Sequence, residues 1–284
     1  MFIDTHCHLQ LICEKDENKR LNKEDLKDIK VVVDESSDAN VKTIINISTS
    51  AIDSFNSVFI AQNFEKVYAA VAMHPCYCPE NWRKELKEIE QLIIDDKSKS
   101  TSPITGRTAG EASKKSIVAI GETGLDFYHK PFFKQRQIDS FKAHLDLAVK
   151  HDLAVVTHIR ESVDESLKVL EEYKDELRIV AHCFCQKKDI ADVMIDWGFY
   201  FGIAGIITYP KNQYLRDIVK DAPIENIVVE TDAPFLPPQQ FRGKKNYPKY
   251  IPLIAEQIAT TRNVDLKTIE QKTTENAKKL FGIT

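Results

Sequence analysis

Long apolar runs are missing from this 284-residue chain, and no stretch approaches the roughly 18 residues needed to cross a bilayer. The amino terminus opens directly on a β-like run, without the basic and then apolar segments of a secretory signal. Positive charge is not in excess either. Thirty-nine Lys and Arg face 43 Asp and Glu, giving a net charge of -4 and a pI near 6.1. That excludes a protein that coats nucleic acid through bulk cationic charge, so an anionic substrate would have to be met locally. Six cysteines in a chain this large, paired as Cys76/Cys78 and Cys183/Cys185, do not make the disulfide framework of a small secreted domain. C-x-C is also the wrong spacing for a zinc knuckle. Reduced thiols and a cytoplasmic, or alternatively nuclear, protein are expected. No Gly-rich loop follows the first β-like run, and no Ser or Cys nucleophile motif or internal repeat is present.

What is present is an alternation of short β-branched runs with amphipathic stretches. After the opening Met1-Phe2-Ile3-Asp4-Thr5-His6-Cys7-His8, strands are expected at Val41 to Ile47, Val67 to Met73, Ile117 to Gly121, Leu153 to Thr157, Arg178 to Ala181, Phe199 to Ile203 and Asn226 to Glu230. Helical spacing fills the gaps, as in Trp82, Leu86, Ile89, Leu92 and Ile93, and two more helices close the chain at 250–262 and 266–281. Eight strand–helix units imply a parallel sheet with right-handed crossovers that closes into a TIM-type (β/α)8 barrel. Residues 1–284 then make one α/β domain. The Ser-, Thr-, Lys- and Gly-rich stretch 97–115 lacks periodicity and is read as a mobile surface insertion on the barrel's N-terminal face.

Six of the eight expected strands deliver a polar candidate at or just past the C-terminal end. In the first, His6 and His8 share one face while Cys7 points the other way, because strand side chains alternate. Further on come His74, Glu122, His158, His182 and Asp232, so five of the eight histidines sit at strand ends. A lone histidine on an apolar strand is more often a packed core residue. A barrel, however, gathers the ends of strands 1, 4, 5, 6 and 8 around one axis, which brings four imidazoles and two carboxylates together. Six donors are too many for one cation with open positions, but they suit two cations sharing a bridging carboxylate, and Glu122 is the candidate bridge. Asp232 is both a candidate ligand and a candidate acceptor of a proton from attacking water, so it and Glu122 are the expected catalytic residues.

These blocks resemble a known family. Asp4-Thr5-His6-Cys7-His8, His74-Pro75, Gly121-Glu122-Thr123-Gly124-Leu125-Asp126, Thr157-His158-Ile159-Arg160, His182-Cys183-Phe184, Glu230-Thr231-Asp232-Ala233-Pro234-Phe235 and Arg242-Gly243-Lys244-Lys245-Asn246 are similar to the signature blocks of the TatD metal-dependent deoxyribonucleases, which belong to the amidohydrolase-type barrels. The resemblance runs through nearly the whole chain. It implies that His6, His8, Glu122 and Asp232 hold one divalent cation and Glu122, His158 and His182 a second, with Asp232 acting on the water. His74 and Arg160 would face the substrate phosphate, with Arg242 beside them. The chain departs from the family pattern at Cys185-Gln186-Lys187, where a small residue and glycine are usual, and in the 97–115 stretch.

The implied activity is hydrolysis of DNA phosphodiesters, by an exonuclease on single-stranded or end-accessible DNA. Two divalent cations, Zn²⁺, Mn²⁺ or Mg²⁺, would activate the water. The same donors would serve ester or amide hydrolysis, as in an aminoacyl-tRNA deacylase, and a metal-stabilised scaffold without catalysis is the reading of another class. Lys187, Lys188, Lys211, Lys244 and Lys245 follow strands 6, 7 and 8 and could steer a polyanion. Phe127, Tyr128, Phe133, Phe184 and Phe235 trail from ligand-bearing strands and could stack on bases, although aromatic side chains are more often core. Neither a membrane nor an obligate protein partner is indicated, and a monomer is expected.

Overall fold

The structure, a computed structural model, describes residues 1–16, 18–101 and 114–284. Eight strands pair in sequence order and all in parallel: β1 (Phe2–Cys7), β2 (Val41–Ile47), β3 (Val67–Val71), β4 (Ile117–Asp126), β5 (Ala154–Arg160), β6 (Ile179–Ala181), β7 (Tyr200–Ile203) and β8 (Ile227–Val229). The ends close on each other just past β8. Cys7 bridges Ala233, the Asp232 N–H donates to the His6 carbonyl at 2.9 Å, and the His8 N–H donates to the Ala233 carbonyl at 2.8 Å. Asp4 locks this seam by accepting from the Thr231 hydroxyl at 2.6 Å and the Thr231 N–H at 3.0 Å. A (β/α)8 barrel results, as the alternation predicts.

The helices are α1 (Leu9–Ile12), α2 (Leu26–Asp38), α3 (Ala51–Asn63), α4 (Trp82–Thr101), α5 (Lys134–His151), α6 (Val163–Glu171), α7 (Lys188–Asp196), α8 (Gln213–Asp221), α9 (Ile251–Arg262) and α10 (Leu266–Phe281). Alternate strand residues divide between two apolar clusters. Phe2, Ile44 and Val155 face the helical ring, whereas Ile3, Ile45, Ile47, Val156 and Val228 fill the cylinder. Its floor is closed by Ala277, Leu280 and Phe281 of α10, a helix capped by Asp265 at one end and left-handed Gly282 at the other.

Two expectations change. The helix after Trp82 runs on to Thr101, into the stretch read as an insertion; no proline interrupts it before Pro103. Residues 102–113 lie outside the described residues. Asp96 on α4 accepts the N–H groups of Ser116 and Ile117, which holds both flanks of the stretch at the start of β4, on the N-terminal face. In addition, β4 and β5 run to Asp126 and Arg160 instead of stopping at Gly121 and Thr157, since these two strands pair as far as Asp126 and Arg160.

Candidate active site

The first strand reaches the site through an irregularity. With Ile3 facing the barrel interior, strict alternation would send His6 and His8 outward with Phe2. The pairing of β1 with β2 slips between Asp4 and Cys7, and a one-residue slip exchanges the faces. Cys7 therefore packs into the outer apolar cluster, and His6 and His8 turn inward. A similar slip between Ile120 and Thr123 surrounds Glu122 on β4. Asp232 lies just after β8 in the left-handed region, φ 56°, a conformation that Asp tolerates better than most residues.

Glu122 divides the donors into two groups. Its Oε2 lies 3.5 Å from His6 Nε2 and 4.0 Å from His8 Nε2. Those two nitrogens are 3.2 Å apart, and both approach Asp232 Oδ1, at 3.5 and 3.7 Å. Its Oε1 meets His158 Nδ1 at 2.6 Å, His182 Nε2 at 3.0 Å and His74 Nε2 at 3.5 Å. The six expected ligands thus come together: the donor atoms of His6, His8 and Asp232 lie within 4.8 Å of one another, as do those of Glu122 and His158 with His74, while His182 groups in this way with His6 and Glu230. The chemistry of the donors fits such an ion. His8 gives its Nδ1–H to the Ile47 carbonyl at 3.2 Å, leaving a bare Nε2 aimed at the other nitrogens and carboxylates.

Three supporting residues escaped the sequence reading. Asp126 Oδ2 lies 3.0 Å from His158 Nε2, and its Oδ1 accepts the N–H groups of Tyr128 and His129, both at 2.9 Å. Glu230 Oε1 accepts the Cys183 N–H and stands 3.4 Å from His182 Nδ1, an ion-pair contact longer than a tight hydrogen bond. Gly202 on β7 makes room for Glu230, because a Cβ there would sit 2.1 Å from Oε2. Both carboxylates lie inside the quoted sequence blocks, so the signal was available. Which ring nitrogen each one faces is decided across strands.

Charges at the site are strongly coupled. Burial would raise the Glu122 carboxyl, but His182, His74 and His158 outweigh it and hold the group well below the usual carboxylate range. Burial would lower His182, yet Glu122 and then Glu230 drive it well above an ordinary imidazole. Asp232 is likewise lowered against its burial, by His8, His182 and His6. His144 shows the contrasting case of a core histidine. It faces the Ser140 carbonyl through Nδ1, accepts the Met73 N–H at Nε2, and is pushed down to about 4 by burial.

A cleft of about 540 Å³ opens over these groups, lined by His8, His74, Glu122, His158, His182 and Asp232 and rimmed by Tyr77, Arg160 and Phe235. His74 Nδ1 accepts the Cys76 N–H at 3.1 Å, so a neutral ring carries its proton on Nε2, which faces Glu122 Oε1 at 3.5 Å and His158 Nδ1 at 3.4 Å. The Arg160 guanidinium stacks 4.2 Å over the Tyr128 ring. Arg242 is not brought in. It is exposed on the loop after β8, with its guanidinium 5.2 Å from the Tyr209 ring centroid, away from the cleft lining. Lys188 and Lys245 are engaged elsewhere, with Asp192 and Glu14. Of the aromatic residues, Phe184 is buried and stacked on Phe201, whereas Phe235 is 52% exposed at the rim.

A closed (β/α)8 barrel that presents imidazole and carboxylate donors at the C-terminal rim of its strands defines a metal-dependent hydrolase. The family model of TatD-related DNases matches residues 3–282, and the chain belongs to that family. It is 30% identical, over 99% of both chains, to the uncharacterized metal-dependent hydrolase BU355 of Buchnera aphidicola. It is 29% identical to the uncharacterized metal-dependent hydrolase YcfH of Escherichia coli, over 99% of this chain and 96% of that one. Among solved structures, the TatD homolog YjjV of Escherichia coli superposes with a TM-score of 0.84 at 26% identity, covering 100% of this chain and 98% of that one. No helix among the described residues is long and apolar enough to cross a membrane.

Proposed function

We propose that the protein hydrolyses phosphodiester bonds of DNA, acting as an exonuclease on single-stranded or end-accessible strands with two divalent cations. The observation that carries this reading is the division of Glu122: Oε2 faces His6, His8 and the Asp232 side, while Oε1 faces His158 and His182. One carboxylate serving two nitrogen-rich groups is the arrangement two neighbouring cations require. Zn²⁺, Mn²⁺ or Mg²⁺ held by these donors would supply Lewis acidity to the attacking water and to the phosphate.

The residues of the chain do the rest. Asp232, held ionised by His8, His182 and His6, accepts the proton of the attacking water. His74 donates Nε2–H to a phosphate oxygen. Arg160, propped on Tyr128, meets the strand beyond the reacting group with a guanidinium fork suited to phosphate. Asp126 and Glu230 hold His158 and His182 in place and fix which nitrogen each presents. The family name supports DNA as the substrate, and the exposed Tyr77 and Phe235 rings at the rim suit unpaired bases.

The test is a labelled single-stranded DNA incubated with the protein across a titration of each cation, beside Asp232→Asn and beside an aminoacyl-tRNA. Progressive shortening of the DNA that stops on chelation and in the variant is expected. Intact DNA under every cation refutes the proposal. Release of the aminoacyl group in its place selects ester hydrolysis, and Glu122→Ala that loses thermal stability with no hydrolysis to lose selects a scaffold.

A further inference from the structure

Beside the two donor groups lies a third with different chemistry. Cys76, in the 3-10 turn after β3, and His129, in the loop after β4, are both exposed and both line the cleft. Between them rises the buried Asp126. Cys76 Sγ is 3.5 Å from His129 Nδ1, His129 Nδ1 is 2.9 Å from Asp126 Oδ2, and the three atoms all lie within 4.8 Å of one another. Asp126 cannot turn away, since its Oδ1 is occupied by the backbone N–H groups of Tyr128 and His129.

We infer that Cys76, Asp126 and His129 form an additional binding site for a borderline-soft divalent cation of the Zn²⁺ class, bound through a thiolate at the mouth of the cleft. A tetrahedral zinc with about 2.3 Å to sulfur and about 2.0 Å to nitrogen places those two ligands about 3.5 Å apart, which is the spacing found here. The nitrogen–oxygen edge would be about 3.3 Å, so the present 2.9 Å contact opens slightly as a hydrogen bond is exchanged for coordination. Binding replaces the Cys76 thiol proton, which leaves to solvent, while the His129 proton resides on Nε2 and frees Nδ1. The fourth position faces the cleft and is open to water or to a substrate oxygen. Because Asp126 Oδ2 also meets His158 Nε2, a cation here touches the carboxylate that positions His158 in the main site. Thiolate selects the Zn²⁺ class over Mg²⁺ and Mn²⁺, which the donors of the main site admit more readily.

Cobalt(II) titration separates this site from the main one, whose expected ligands contain no sulfur. The protein, freed of cations, should develop a near-ultraviolet thiolate-to-cobalt absorption that is complete by three equivalents, because the two cation positions of the main site compete for the metal. The absorption should be lost in Cys76→Ser and retained in Cys185→Ser, which removes another exposed thiol. In His129→Gln it should need more cobalt to reach half-saturation. Circular dichroism shows that each variant is folded. A wild-type protein without thiolate absorption at any cobalt ratio overturns the inference. So does an absorption that survives Cys76→Ser, disappears in Cys185→Ser or is indifferent to His129→Gln. Visible cobalt bands without sulfur character report the main site, so either site can fail without the other.

Discussion

Asp126→Asn isolates how the barrel prepares His158. To offer Nδ1 to a cation, His158 must carry its proton on Nε2, and Asp126 Oδ2 stands 3.0 Å away to accept it. Asparagine matches the shape but not the role. Its oxygen is claimed by the Tyr128 and His129 N–H groups, so its NH₂ turns towards His158 and faces another donor. The imidazole then either shifts its proton to Nδ1, which blocks coordination, or the amide flips and forfeits two backbone hydrogen bonds. Forfeiting two neutral bonds costs about 1–3 kcal/mol, equivalent to about 5- to 150-fold in cation affinity. Alanine removes the acceptor without installing a donor, and water can take its place, so Asp126→Ala should be the milder change. Affinity for Mn²⁺, measured by calorimetry on cation-free protein, reads this without interference from thiolate, which Mn²⁺ disfavours. Asp126→Asn binding within about twofold of wild type, or Asp126→Ala binding more weakly than Asp126→Asn, refutes the proton assignment.

Other perturbations follow from the same packing. Gly202→Ala puts a Cβ 2.1 Å from Glu230 Oε2 and should cost about 1–3 kcal/mol, read as a lower urea midpoint in the cation-free protein. Phe201→Ala empties a fully buried position stacked on Phe184 and should cost about 3–5 kcal/mol in the same assay. The pH dependence has two limbs. Glu122, lowered on folding, adds stability above its ordinary value of 4.5 that is lost as pH falls through the lower folded value. His182, raised on folding, adds stability below its ordinary 6.5 that is lost as pH rises through the higher folded value. Without cations the site is therefore most stabilising between those two ordinary values. A cation must displace the imidazole protons, so the rise in Tm on adding Zn²⁺ should be larger near pH 8 than near pH 6. An equal rise at both, by scanning calorimetry, refutes imidazole coordination.

Much of this protein is local information. The eight β-branched runs, the helical spacing between them and the polar residues at the ends of six of those runs are properties of short windows. They suffice for the barrel and for His6, His8, Glu122, His158, His182 and Asp232, because a parallel barrel obliges strand ends to converge. Boundaries were less legible. That β4 reaches Asp126 follows from pairing with β5, a partner that lies beyond an intervening helix. The supports of the site were present as letters without roles, since Asp126 and Glu230 matter through the ring nitrogens they face on other strands. Arg242, which its sequence block puts at the phosphate, stands exposed on the loop after β8 with its guanidinium over the Tyr209 ring.

The order of residues alone determined a closed α/β cylinder and the set of imidazoles and carboxylates at its mouth, because periodicity and chain order need no knowledge of distant neighbours. Tertiary structure decided which way those groups face. The slip in β1 that turns His6 and His8 inward, the sharing of Glu122 between two clusters, and the meeting of Cys76 with His129 across Asp126 arise where segments far apart in the chain impose register and reach on one another.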